Sequence, residues 1–262
     1  MKPLSEFRNP GVRFLFTDID DTLTDHGRLG APAYAALWSL VGRGIKVIPV
    51  TGRPAGWCEM IARVWPVDGV IGENGAFYFR YENKVMKRHF AVDERARLAS
   101  RDKLDRVIAP EILSSVKGAA IASDQFSRIS DLAIDFCEDV EPLETKDIDR
   151  IVKIFEKHGA VAKVSSIHVN GWFGNFDKLT MCKEYLKNEF GLMASAIQKE
   201  IAFVGDSPND EPMFKFFNNS FAVANIARFS DRLTSKPAHV APSKGGRGFC
   251  EVARALLEDA KT

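Results

Sequence analysis

Residues Phe14-Leu15-Phe16-Thr17 form an apolar run that ends in Asp18, Asp20 and Asp21, three carboxylates within four positions. A short run of large apolar side chains reads as a buried strand. Acidic groups crowded just past its end repel one another and need a cation, protons or open water. Open α/β sheets carry their ligand sites at the carboxyl ends of strands. The stretch therefore predicts a metal-assisted carboxylate site at the end of a first, central strand. A calcium loop is excluded. That loop needs Gly at its sixth position and Glu at its twelfth, and here those positions are Leu23 and Leu29.

The order of elements around this strand indicates a doubly wound, Rossmann-like parallel sheet. Val12–Thr17 is the first strand. Tyr34, Leu37, Trp38 and Val41 follow at helical spacing, with Gly42 and Gly44 closing that helix. Ile45–Val50 is a second strand, although Pro49 cannot donate to a ladder, and it runs into Thr51-Gly52-Arg53-Pro54. Trp57, Ile61 and Val64 or Trp65 mark another helix. Gly69–Gly72 is a third strand before Glu73-Asn74-Gly75, and Phe77–Tyr81 with Val85–Phe90 form a hairpin. β-α-β-α-β with short loops is the α/β signature.

The texture then changes. Residues 93–117 are charged and helical, with a break near Pro110; the run 94–106 is an exposed face. Ala119–Ser123 and Leu132–Cys137 are strands joined by a polar turn carrying Asp124, Gln125, Ser127 and Arg128, either a specificity loop or a solvated hairpin. Thr145–His158 is a helix with Thr145 as its N-cap and Gly159 at its end. Val161–Val164 and Ile167–Val169 add more β structure. These elements define an inserted α+β lobe, residues 91–171, between core segments 1–90 and 172–262. The wound pattern resumes with a helix over Lys178–Phe190 stopped by Gly191, a strand over Ile201–Gly205, a short helix over Glu211–Phe217, short strands at Ser220–Ala224 and His239–Ala241, and a closing helix over Phe249–Leu257.

Composition narrows the function classes. Lys and Arg total 36 against 35 Asp and Glu, which gives no electrostatic reason to expect nucleic acid or an anionic membrane. Cys58, Cys137, Cys182 and Cys250 lack any paired spacing, which argues against zinc or a disulfide framework and for reduced thiols in a cytoplasmic protein. Met1 to Gly11 lacks the apolar core of a signal peptide, and no stretch is long enough to be a membrane span.

Asp18 and Asp20, Thr51, Lys178, and Asp206 with Asp210 all fall at strand ends or helix starts. In a parallel sheet they converge on one edge. At this point the sequence resembles the haloacid-dehalogenase-like superfamily of aspartate-nucleophile phosphatases. The resemblance rests on Asp18-Ile19-Asp20-Asp21-Thr22-Leu23, Thr51-Gly52-Arg53, Lys178 and Gly205-Asp206-Ser207-Pro208-Asn209-Asp210, four motifs in order. The lobe's position and the Glu73-Asn74-Gly75-Ala76 stretch look like the Cof-type, or IIB, branch with a C2 cap, which includes sugar-phosphate phosphatases.

The resemblance implies a small-molecule phosphate ester as substrate and Mg²⁺ as cofactor. Mg²⁺ prefers oxygen ligands and binds through one or two carboxylates plus substrate phosphate. Asp18 and Asp206 would be its side-chain ligands, Asp20 would ligate through its carbonyl, and Asp210 would support them. Asp18 would be the nucleophile and Asp20 the general acid and base. Thr51, Gly52, Arg53 and Lys178 would hold the phosphate, with Asn209 orienting Lys178 or Asp210. Lys183 is a fallback for Lys178. Asp21 and Thr22 are expected to shape the loop. His168, Asn170, Trp172 and Asn175 sit in the return from the lobe, where they either touch the leaving group or, on the plain reading, are a hinge histidine and a buried tryptophan with their neighbours. A sugar phosphomutase with the same site, or a phospho-accepting module without turnover, are the alternatives.

Overall fold

The computed structural model describes residues 1–231 and 233–258. Its centre is a six-stranded sheet in which every neighbouring pair is parallel. Strand β1 (Phe14–Thr17) lies between β10 (Ile201–Gly205) and β2 (Lys46–Pro49). Beyond β10 come β11 (Asn219–Ala222), β12 (His239–Val240) and the short strand Lys2–Pro3. Side chains alternate along each strand. Leu15, Val47, Ala202 and Val204 enter one apolar cluster with helices α1 (Ala31–Gly42), α2 (Ala55–Val64) and α8 (Gly245–Leu257). Phe14, Phe16, Ile48 and Phe203 enter another, with α6 (Lys178–Phe190) and α7 (Glu211–Phe216). A sheet buried on both faces explains why its strands read as continuous apolar runs.

The helix faces differ from the spacing argument. Helix α1 buries Ala33, Leu37 and Leu40 and leaves Trp38 and Val41 outside. Helix α2 buries Ala55, Cys58, Ile61 and Ala62, and Trp57 is exposed beneath the Arg53 guanidinium. In both cases the buried face mixes small residues with Leu or Ile, and the large aromatic residue of the helix lies on the other side.

The third strand also departs from expectation. Strand β3 (Val70–Gly72) meets the central sheet only through a Val50–Ile71 bridge. Its ladder is antiparallel to β4 (Phe77–Glu82), which pairs in turn with β5 (Val85–Phe90). Glu73 and Asn74 adopt positive φ of 42° and 56°, which reverses the chain at once and brings Phe77 opposite Gly72.

The inserted segment carries its own antiparallel sheet, ordered β8 (Val161–Val164), β9 (His168–Trp172), β7 (Asp131–Asp135), β6 (Ala120–Ile121). Ile108, Ile112, Ile134, Ile151, Phe155 and Val169 form its apolar cluster. The break expected near Pro110 is a π-helical turn, Leu104–Ile108, joining α3 (Glu94–Lys103) to α4 (Ala109–Ser115). Pro110 has no N–H to donate, so it is accommodated in the first turn of α4 and the widened turn precedes it. Helix α5 (Thr145–Lys157) begins one residue after Glu144, so Thr145 lies inside the helix and gives no side-chain cap. Among the described residues no helix is long and apolar enough to cross a membrane.

Helix α6 is set firmly. The Asp177 carboxylate accepts from the Thr180 amide at 2.7 Å, and Gly191 ends the helix at φ 67°. Gly75, at φ 102°, packs its bare Cα against the Asp177 carbonyl, where an added Cβ would fall on backbone. Substituting Gly75→Ala is expected to cost about 1–3 kcal/mol through strain and overpacking at the start of α6. Denaturant unfolding checks this, and an unshifted midpoint would show that the turn yields.

Candidate active site

Strand register sets the centre of the site. Thr17 pairs with Val204, and the Asp18 amide donates to the Val204 carbonyl at 2.9 Å. Asp18 and Asp206 therefore leave adjacent strands one residue apart in register. Lys178, first residue of α6, sends its Nζ to Asp18 Oδ1 at 2.6 Å and to Asp210 Oδ1 at 2.8 Å. Oxygens of Asp18, Asp206 and Asp210 lie within 4.8 Å of one another. All four side chains are buried.

This cluster has too little positive charge. Burial pushes the Asp18 carboxyl well above the usual range, with Lys178 pulling the other way. Asp206 is pushed up to about 8, first by burial and then by Asp210. Burial alone would lower the Lys178 pKa, but Asp18 and Asp210 raise it. Asp206 Oδ1 is buried without a hydrogen-bond partner, although Arg228 reaches Oδ2 at 3.3 Å. Three carboxylates facing one ammonium, with one oxygen unsatisfied, suit a divalent cation with oxygen ligands.

The loops follow from local hydrogen bonding. After β1, the amides of Thr22, Leu23 and Thr24 converge on the Ile19 carbonyl, turning the chain back toward Asp20. The hydroxyl in that turn is Thr24, which donates to Ile19 and accepts from the Asp21 amide. Thr22 contributes its amide, while its buried hydroxyl has no partner. Asp21 pairs with Arg228 at 3.1 Å and is held by Asn225 through its carbonyl. After β10, Ser207 and Asp210 form a capping box, and the Asp210 carboxylate also accepts from the Asp206 amide. Asn209 accepts from the Ser207 hydroxyl at 2.7 Å instead of meeting Lys178 or Asp210. Lys183 lies over the Phe216 ring, on the side of α6 away from Asp18.

Thr51 is fully buried, and its hydroxyl accepts from the Arg53 amide at 3.0 Å. The Arg53 guanidinium grips Asp20 through Nε and Nη2, at 2.9–3.1 Å. It also bonds Glu138 from the inserted lobe, at 2.7 and 3.3 Å, and lies 3.5 Å from Asp124. Gly52 packs against Asn74 and Asn170. A second cross-connection lies behind it. Arg128 donates to the Gly52 carbonyl at 2.8 Å and pairs with Asp124 and Asp131. The buried Glu73 carboxylate accepts from the amides of Ala55, Ile129, Ser130 and Asp131. The polar turn at 124–131 is therefore an internal anchor and not a solvated hairpin.

His168 and Asn170, both buried on β9, line a narrow 20 Å³ cavity with Asp18, Asp20 and Asn209. That cavity shares Asp20, Arg53, Ser166 and Ile167 with a larger one of 410 Å³, which reaches Glu138. Trp172 is buried and stacks on Phe176. Sequence reasoning missed Glu138, Glu73 as an anchor, and Arg228. Each is a charge within an ordinary polar stretch, and only its distant partners mark it.

The chain is similar to several known proteins. The pattern of the haloacid dehalogenase-like hydrolase family matches residues 15–121. A phosphoglycolate phosphatase of Thermoplasma acidophilum is 26% identical over 206 residues, covering 78% of this chain and 81% of that protein. A crystal structure described as Thermoplasma acidophilum 0175 has a TM-score of 0.71 at 20% identity, covering 95% of this chain and 100% of that one. The sucrose-phosphatase of Synechocystis sp. PCC6803, solved with sucrose and phosphate, has a TM-score of 0.64 at 16% identity, covering 95% and 98% of the two chains.

Burial alone would raise the Glu138 pKa, but His168 and Arg53 together hold it at about 2, against an ordinary 4.5. Folding thus depresses this pKa, so the stabilisation it brings is complete above the unfolded value and is lost as pH falls toward the folded one. The stability difference between wild type and Glu138→Gln is expected to stay constant above about pH 5 and to narrow as pH falls toward about 3. Denaturant titrations across that range check it, and a difference independent of pH would contradict the pairing.

Proposed function

We propose that this chain is a haloacid-dehalogenase-like hydrolase, a Mg²⁺-dependent phosphatase that hydrolyses a small phosphorylated metabolite, a sugar phosphate in class, through an aspartyl-phosphate. The observation that carries this reading is Asp18, bonded to Lys178 and clustered with Asp206 and Asp210, with Asp20 two residues on.

A phosphate monoester dianion repels an attacking carboxylate, so both must be neutralised. Asp18, Asp206 and the Asp20 carbonyl, supported by Asp210, would hold Mg²⁺, which when bound supplies that neutralisation. Asp18 Oδ forms a bond to phosphorus as the bond to the leaving oxygen breaks. Asp20 gives its proton to that oxygen. It then takes a proton from the water that attacks phosphorus, releasing Asp18 and inorganic phosphate. Lys178 and the Thr51 hydroxyl stabilise charge on the phosphoryl oxygens. Arg53 orients Asp20 through the paired contact described above. The inserted lobe, residues 91–171, serves as a cap of the C2 type that excludes water and frames the leaving group.

Asp18→Asn removes the nucleophile while keeping its shape. It is expected to abolish turnover of para-nitrophenyl phosphate with the fold intact by circular dichroism; retained turnover would defeat the assignment. Chelation of divalent ions is expected to stop wild-type turnover, and Mg²⁺ to restore it. Activity indifferent to chelator would remove the metal from the reading.

A further inference from the structure

On the phosphatase reading, the 410 Å³ cavity that opens past Asp20, sharing Asp20, Arg53, Ser166 and Ile167 with the narrow one beside Asp18, is a space into which a leaving group can extend. The inserted lobe places Glu138 on the wall of that cavity. The residue is fixed at both ends. Its amide donates to Asp135 Oδ1 at 2.8 Å, and the same carboxylate accepts from the amides of Cys137 and Asp139. Its own carboxylate lies between Arg53 and the buried His168, whose Nε2 is 2.9 Å from Oε2. Its side chain is only 27% exposed.

A guanidinium offers five N–H donors in a fixed fork. In Arg53 four of these bond Asp20 and Glu138, and Nη1 also lies 3.5 Å from Asp124, so carboxylates of the protein already surround the guanidinium. Glu138 thus occupies the place that a substrate carboxylate would take on Arg53, and its own charge faces the cavity.

We propose that Glu138 is a specificity-determining residue that rejects phosphate esters whose leaving group carries a carboxylate and favours those that offer hydroxyl donors. A like charge set against a ligand is a repulsive element of selection, and its fixed geometry prevents it from swinging aside. The low pKa of Glu138 keeps it ionised throughout the neutral range. The T. acidophilum relative is named for phosphoglycolate, whose leaving group is such an acid; on this inference the present chain selects differently.

The test uses the full chain with Mg²⁺ and two esters of matched size, phosphoglycolate and ethylene glycol monophosphate, with para-nitrophenyl phosphate alongside. Wild type is expected to favour the glycol ester by at least ~10-fold in kcat/KM, since like-charge juxtaposition suppresses the wrong partner. Glu138→Gln, nearly isosteric but neutral, is expected to erase most of that preference, chiefly through a lower KM for phosphoglycolate. Glu138→Asp keeps the charge and is expected to keep the preference. Equal or better use of phosphoglycolate by wild type overturns the proposal, as does a preference that the Gln variant leaves unchanged. A wild type active on para-nitrophenyl phosphate yet indifferent to leaving-group charge overturns the Glu138 assignment alone. Inactivity on all three esters overturns it together with the phosphatase reading beneath it.

Discussion

The single ammonium of Lys178, shared between Asp18 and Asp210, is the contact on which the site depends. Three buried carboxylates with one buried ammonium, and a half-exposed Arg228 that reaches only Asp206 Oδ2, are not a stable arrangement on their own terms, because desolvated like charges raise each other's pKa. The structure supports the imbalance by backbone means. Asp18 is fixed by the β1–β10 ladder, Asp210 by the amides at 206 and 207, and Lys178 by the capped start of α6. A site assembled this way carries a standing electrostatic demand for a further positive charge, which a divalent ion meets.

Contacts between the lobe and the core repeat the same logic. Arg53 joins Asp20 of the core to Glu138 of the lobe, and Glu73 gathers amides from both. These contacts are buried and charged, so loss of one partner would leave another uncompensated. They also tie the acid that would act on the leaving group to the surface that would recognise it. In this arrangement chemistry and selectivity share one guanidinium.

Much of this was legible in the sequence because the decisive signals are local. Phe14–Thr17 and Ile201–Gly205 read as buried strands, and the acidic groups after them follow from chain direction alone. Lys178 was separable from Lys183 by its place at a helix start. Strand β3 was misplaced because the positive φ of Glu73 and Asn74 cannot be read from residue type with certainty, and that reversal decides which sheet the strand joins. Helix faces were misjudged where large residues sat outside: spacing identifies a stripe but not which stripe meets the sheet. The roles of Glu138, Arg128 and Glu73 were invisible, since each depends on partners brought together by the lobe's docking.

The level pairing of Thr17 with Val204 has a consequence for how this chain can change length. Strand side chains alternate with a period of two, so one residue added between Phe14 and Asp18 would send every later side chain to the opposite face. It would also lift Asp18 out of reach of Lys178. The exposed hairpin tip at Asn83 and Lys84 carries no such constraint. Insertions and deletions are thus tolerated at the molecule's margins and forbidden in the few residues between each central strand and its carboxylate, however similar the residues that replace them.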